Sequence, residues 1–374
     1  MGQFLGFGNG GDGAGSLSGT DAPNDTTFSG AATATTGTGK TGMTVADGSI
    51  ALIHQSRGTG VGAWELIQVA SYVSETGAFT FITPLDNTYT DSGASQAQLI
   101  ILKQYTSVTI ASTLTAKAWG GDVGGIIAFL CAGKTTISST LTATGKGFRY
   151  GNAGSGGTDA YSGEGTVGAQ VQQTARNGSG AGGGGRGPDS GHIEGGHGGG
   201  GGGGGNIAGN DASGKNTAIP GQGGLAGGLA VLTTASFGGG GGGGGQEYDG
   251  SPGGTNGGSG GGLIFIFSAS YEVSGAVVAN GNGSSGNDTS AGCGGGGGGG
   301  GILIKTKNGI LGTGIITATG GIGGTSTGSY GGKGADGGAG SIRIEACTRT
   351  GTTTPSASEQ VGGQNYCSVS HAIL

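Results

Sequence analysis

The chain has 374 residues, of which 103 are glycine; 32% are hydrophobic, 10% are charged, and the formal net charge is −6. Six prolines without a sustained Gly-X-Y register exclude a collagen triple helix, and clustered apolar runs at low net charge argue against disorder. The absence of a lysine or arginine cluster speaks against nucleic acid, and no run approaches the ~18 apolar residues of a membrane helix, so no membrane insertion is expected.

The N-terminal stretch MGQFLGFGNGGDG carries no positive charge before Lys40 and no apolar core, unlike a secretory signal, and Gly6 stands where a myristoylation signal has Ser or Thr. Residues 1–120 hold both tryptophans and the runs SIALIHQ (49–55), WELIQVASYV (64–73), AFTFITPL (78–85) and QLIILKQYTSVTIAS (98–112). Alternation in WELIQV and TSVTIAS, with turn residues at 57–62 and 75–77, predicts an antiparallel β domain with one buried face, suited to anchoring or assembly. ATTGTGKT (34–41) fits the loosest phosphate-loop pattern through Lys40 and Thr41. It lacks the preceding buried strand and following helix that phosphate binding needs, so it reads as a chance match. His54 reads as a hydrogen-bonded strand residue.

Residues 121–348 read as a repeat body. VGGIIAFLCAGKTTISSTLTATGKG (123–147), GGLIFIFSASYEVSGAVVANGNG (261–283) and GGILIKTKNGILGTGIITATGG (300–321) share one plan: a glycine pair, an apolar strand, a turn, and a second strand ending in glycine. SIRIEACT (341–348) is a truncated copy, and LAGGLAVLTTASF (225–237) a degenerate one. Taking Leu263, Ile302 and Ile342 as equivalent gives spacings of 39 and 40 residues, a period whose units bury a core only by stacking. Residues 349–374 form a C-terminal tail. Cys131, Cys293, Cys347 and Cys367 are too far apart for a zinc knuckle; a Cys347–Cys367 bridge and free thiols both remain open.

Between the strand pairs lie the tracts 195–205, 238–245 and 294–301, nearly pure glycine. A single buried glycine run would strand every N–H and C=O. Several runs side by side can bond to one another, and only glycine permits that approach. The expected fold class is therefore all-β: an N-terminal antiparallel β domain followed by a repetitive β body with stacked polyglycine-II helices, with Ile207, Leu225 and Leu229 covering a face.

These tracts resemble the distal tail-fibre adhesins of T-even-like bacteriophages, whose C-terminal part is a sandwich of polyglycine helices joined by variable loops. The resemblance covers residues 150–340. It implies receptor recognition by the segments YGNAGSGGTDAYSGEG (150–165), GRGPDSGHIEG (185–195), QEYDGSPGGTN (246–256), NGNGSSGNDTS (280–290) and TSTGSYGGKGAD (325–336). Tyrosine among Ser, Gly and Asn is how adaptable binding loops are composed, which makes Tyr150, Tyr161, Tyr248, Asp249 and Tyr330 the expected receptor-binding residues. The implied setting is a virion fibre tip or extracellular surface. Its partners would be a host cell-surface polysaccharide or outer-membrane protein, and neighbouring fibre subunits through residues 1–120.

No catalytic residue, metal or cofactor is expected. His192, Glu194 and His197 supply zinc-ligand types, but not at the helical H-E-x-x-H spacing. The carboxylates are mostly solitary, and Glu164, Glu247, Asp249 and Asp288 suit hydrogen bonding to a sugar better than the paired-carboxylate hydrolysis of one. A self-assembling subunit of an extracellular filament or surface layer is the alternative reading, and a polysaccharide depolymerase the third.

Overall fold

The computed structural model describes residues 6–155, 159–168, 198–213, 220–245, 254–286, 291–310, 315–327 and 331–361. Every regular element among them is a strand. The first eight are β1 (Ala14–Ser16), β2 (Gly19–Thr20), β3 (Asn24–Thr27), β4 (Thr36–Thr38), β5 (Ile50–Arg57), β6 (Trp64–Val73), β7 (Ala78–Phe81) and β8 (Gln96–Ile101). Next come β9 (Lys103–Tyr105), β10 (Ser107–Ile110), β11 (Leu114–Thr115), β12 (Ile126–Ile137), β13 (Thr140–Thr142), β14 (Leu263–Val273) and β15 (Ala276–Val278). The last are β16 (Gly301–Ile310), β17 (Ile315–Thr317), β18 (Ser341–Thr350) and β19 (Ser358–Val361).

They form three sheets. An eight-stranded parallel sheet runs β1-β10-β12-β14-β16-β18-β19, with β9 also on β12, and a five-stranded parallel sheet runs β17-β15-β13-β11-β2. The third, β3-β8-β5-β6-β7-β4, is antiparallel. The eight-stranded sheet is covered on both faces, which explains why LIFIF is apolar without alternation. Ile264 and Ile266 face the five-stranded sheet, in a core with Leu114, Leu141, Val277 and Ile316. Leu263, Phe265 and Phe267 face the antiparallel sheet, in a core with Ile50, Leu52, Leu66 and Ile100. On the far side of the antiparallel sheet, Phe28, Phe79, Phe81 and Tyr89 pack on Ile53, Val69 and Leu99.

In-register stacking builds side-chain ladders. Ile127, Ile264, Ile302 and Ile342 are successive partners, and so are Phe129, Ile266, Ile304 and Ile344. Leu263 pairs with Gly301, not Ile302, so the expected equivalence is one residue out at its first member. The slip matters, because a shift of one residue sends a side chain to the opposite face.

Two further corrections concern the strands. TSVTIAS, expected to be antiparallel, gives β10, which pairs in parallel with both β1 and β12. The run 98–112 thus divides: β8 joins the antiparallel sheet, while β9 and β10 join the parallel one. Residues 14–20 and 107–115 contribute rungs to the same stack as the later repeats. The other correction is at 225–237, where no strand forms; Leu232, Ala235 and Phe237 instead close the core between the two large sheets.

Glycine segments run on from the strands: 254–262 leads into β14, 292–300 into β16 and 331–340 into β18, while 279–284 follows β15 and 318–324 follows β17. Their partners change with a period of three. Gly295 and Gly298 donate to the carbonyls of Gly242 and Gly239, Gly296 and Gly299 to Ala335 and Gly338, and Gly297 and Gly300 to Asn282 and Ala279. The carbonyls of Gly295 and Gly298 accept from Gly258 and Gly261, those of Gly296 and Gly299 from Gly202 and Gly205, and that of Gly297 from Gly321. With Ser341 N bonding to Gly300, every N–H and C=O from Gly295 to Gly300 is satisfied. The six surrounding segments also close a ring among themselves through Gly241→Gly258, Asn282→Ser259, Gly281→Thr319, Gly337→Gly321, Gly338→Gly202 and Gly242→Gly200.

Glycine is required here for space. A Cβ on Gly202, Gly203 or Gly204 would overlap the carbonyl oxygen of Gly239, Leu225 or Ala339 respectively, three different neighbours for three consecutive residues. None of the glycines 198–205 takes a left-handed φ. Ile207, Leu225 and Leu229, expected to cover a face, are instead 51%, 44% and 50% exposed. The Ile207 carbonyl turns inward to accept from Gly204, and the Leu225 carbonyl lies against Gly203, which leaves the side chains outside.

Candidate functional site

Where the glycine segments enter the sheets, one end of the bundle is fixed. The other end gathers the points where the chain leaves one segment and returns in the next. Gly154 bonds to Gly244, Gly292 to Gly245, and Thr255 to Gly292. Gly199 bonds to Cys293, Cys293 to Gly332, Gly221 to Gly198, and Ser213 to Lys333. The flanks of all five sequence-predicted binding segments therefore meet at this end, although the segments lie far apart in the chain.

Beside this end, across three adjacent glycine segments, is an open groove of about 410 Å³. Tyr150 stands at one side, with Asn256 and Ser259 from the second segment and Asn282, Ser284 and Ser285 from the third; Gly257, Gly258 and Gly283 complete the lining. Tyr150, Asn282 and Ser285 are exposed, and Asn256, Ser259 and Ser284 half-buried. The walls are tied together: Asn256 Oδ1 accepts from Ala153 N at 2.8 Å, Ser285 Oγ from Asn256 N at 3.0 Å, and the Asn256 carbonyl from Ser284 Oγ at 3.0 Å. No charged side chain lines the groove.

Of the predicted binding residues, Tyr150 lines this groove. Tyr161 lies half-buried on a neighbouring segment, its N–H on Asn152 and its carbonyl accepting from Gly243. Tyr248, Asp249 and Tyr330 lie outside the described residues, as do Glu247, Asp288, His192, Glu194, His197 and Cys367. Asn256, Ser259 and Asn282 were not singled out from the sequence. Their signal was the threefold spacing Asn256–Ser259, which puts both side chains on one edge of a threefold segment.

Other candidates resolve into structure. Glu164, read as a sugar contact, is fully buried and bridges two guanidinium groups: its carboxylate pairs with Arg57 and accepts from Arg149 Nε at 2.9 Å. This pairing holds Arg149 above its ordinary range, through the Glu164 hydrogen bond first. His54 is fully buried, with Nε2 2.7 Å from the Ala235 carbonyl and Nδ1 2.8 Å from Ser56 Oγ. The Ala235 carbonyl requires a proton on Nε2, and burial lowers the ring's pKa to about 4, so near neutral pH Nδ1 is unprotonated and accepts from Ser56 Oγ. Thr36–Thr38 is an antiparallel strand on β7, and Lys40 N donates to Thr26 Oγ1 at 2.7 Å, so this backbone is not arranged as a phosphate cradle. Among the described residues no group of three or more His, Cys, Asp or Glu is placed to hold a metal. Cys131 is a buried thiol and Cys347 is disulfide-bonded.

A second cavity, about 310 Å³, opens beside β2 and β9, with Asp21, Lys103 and Tyr105 among its polar lining and Leu114, Ile127 and Phe129 on its apolar wall. Burial pushes Asp21 up to about 6 against a hydrogen bond from Ala22, and Asp25 raises it further. Lys103 turns instead to Asp12 at 3.0 Å. No protein-family model, curated protein or solved structure matches the chain.

Proposed function

We propose that the chain is a non-enzymatic adhesin of the tail-fibre type, in which a stack of polyglycine-II helices holds recognition loops at one end and the β-rich N-terminal part serves anchoring or assembly. The threefold alternation of hydrogen-bond partners supports the polyglycine-II reading, since a threefold helix presents residues i and i+3 to the same neighbour. The observation that carries the functional reading is the convergence of the flanks of five distant loop segments at the end remote from the sheets. A bundle bonded in every lateral direction is stiff, and stiffness lowers the entropy lost when loops engage a receptor. Tyr248, Asp249 and Tyr330 lie in the sequence between those flanks, and Tyr150 and Tyr161 in segments that reach the same end.

The alternative, a self-assembling filament subunit, draws on β1 and β19, which among the described residues are the end strands of the eight-stranded parallel sheet. One experiment addresses both. Fluorescently labelled full-length chain is incubated with a panel of bacterial cells, and its size is followed by sedimentation. Discrete particles that coat a narrow subset of cells, less so after Tyr248→Ala with Asp249→Ala, fit the adhesin. Retention by no cell in a broad panel defeats it, and open-ended polymers favour the filament.

A further inference from the structure

We infer that the groove between Tyr150, Asn256 and Asn282 is a binding subsite for an uncharged glycan. The inference deepens the adhesin reading and rests on it for the source of the ligand; the site lies on the flank of the bundle, beside the loop-bearing end.

Three observations carry it. The lining holds no ionisable side chain except the Tyr150 phenol, so an anionic sugar would find no counter-charge and a cationic ligand no carboxylate. The polar groups are amides and hydroxyls: Asn256 Oδ1 and the Ser284 and Ser285 hydroxyls hold the walls together, while Asn256 Nδ2, the Asn282 amide and Ser259 Oγ supply donors and acceptors that match the mixed character of sugar hydroxyls. An exposed aromatic ring stands beside them, and the C–H face of a pyranose packs on such a ring while its hydroxyls reach the amides.

The setting fits a ligand of this kind. Glycines 257, 258 and 283 leave the floor without side chains, so a sugar ring can approach the backbone closely. The Asn256 anchor is held on both sides, by Ala153 N and Ser285 Oγ, so the groove is largely formed before a ligand arrives. Its volume falls within the few hundred Å³ typical of small-ligand sites.

The test is an array of uncharged hexose and N-acetylhexosamine oligosaccharides printed beside uronic-acid and sialic-acid ones, probed with the full chain, Tyr150→Ala, Tyr150→Trp and Asn282→Ala. Each variant is first checked for an unchanged thermal midpoint; both residues are exposed. Uncharged glycans should be retained at low and high salt alike. Tyr150→Ala should weaken retention about tenfold, Tyr150→Trp should preserve it, and Asn282→Ala should weaken it several-fold. Retention of acidic glycans alone, of no glycan, or equal retention by wild type and both alanine variants overturns the inference. Cell binding in parallel separates the two ideas: cells coated without glycan retention sink the subsite and leave the adhesin standing, whereas loss of both sinks both.

Discussion

The stacked strands and the glycine bundle are two solutions to one problem, the burial of backbone. In the strands, N–H and C=O groups bond sideways within a sheet, and side chains such as Ile264, Ile302 and Ile342 fill the space above and below. At the centre of the bundle, residues 294–300 carry no side chains to fill anything. Successive peptide groups of 295–300 point to different neighbours, and the space is filled by other backbones. Stability in the first region comes from apolar area, worth about 25 cal/mol per Å². In the second, as along 295–300, it comes from pairing peptide groups with neighbouring backbones, since each orphan costs about 1–3 kcal/mol. The difference shows that a chain rich in the residue most costly to order can still fold, provided its backbones surround one another.

The sharpest way to break this comparison is one added methyl in the bundle against one removed from the strands. Gly298→Ala would drive a Cβ into the Gly203 carbonyl and force apart segments that share hydrogen bonds, at an expected cost of about 4 kcal/mol in urea unfolding. Ile304→Val, fully buried in the strand core, should cost about 1 kcal/mol by the same measurement. A smaller loss at Gly298 than at Ile304 would mean that the bundle is not close-packed.

Glu164→Gln tests the seam between the regions. Its carboxylate joins Arg57 of β5 to Arg149, which leads into the bundle, and the Arg57 side chain is only 10% exposed. Leaving that guanidinium without its counter-charge should cost about 3 kcal/mol. By contrast, Lys134→Ala, at an ion pair whose side chains are 51% and 39% exposed, should change little. Equal effects would show that the seam contributes no more than surface charge.

A smaller effect is expected from pH. The folded pKa of His54 lies below its unfolded value, at about 4 against 6.5, so unfolded chains take up the proton first as pH falls. The contribution of neutral His54 is complete above about pH 6.5 and declines toward pH 4, by about 2 kcal/mol between pH 7 and 5. Asp21 acts in the opposite sense: its folded pKa is raised to about 6, so the native state gains relative stability as pH falls from 6 toward 3.8. Denaturation profiles of His54→Gln and Asp21→Asn should therefore diverge from wild type in opposite directions. Asp21→Asn should also be the more stable form at pH 7.

Much of the strand content was legible because apolar clustering is a local property. The runs at 64–73, 126–130, 263–267, 302–304 and 341–346 lie in strands, as does 49–55 from Ile50 onward. Their directions were less legible. Alternation in TSVTIAS records a half-buried strand and says nothing about whether its partner runs parallel. The missed signal was repetition: TIASTLTA (109–116) and TISSTLTA (136–143) are nearly the same, and the two stretches are in-register neighbours. Glu164 was misread because a solitary acid in a glycine-rich segment looks solvated, and its partners Arg57 and Arg149 come from other parts of the chain. The groove was half legible. Tyr150 stood out as an aromatic among small residues, whereas Asn256 and Asn282 become neighbours only when their segments lie side by side.

By itself the sequence determined the inventory: strands where β-formers cluster, a repeat of about forty residues, and glycine wherever a Cβ has no room. Tertiary structure alone decided which strand lies beside which, which face each residue presents, and which distant segments share an end. The reason is geometric. Propensity acts within a few residues, whereas pairing direction, counter-charges and the ring of six around 295–300 depend on segments brought together only when the whole chain has folded.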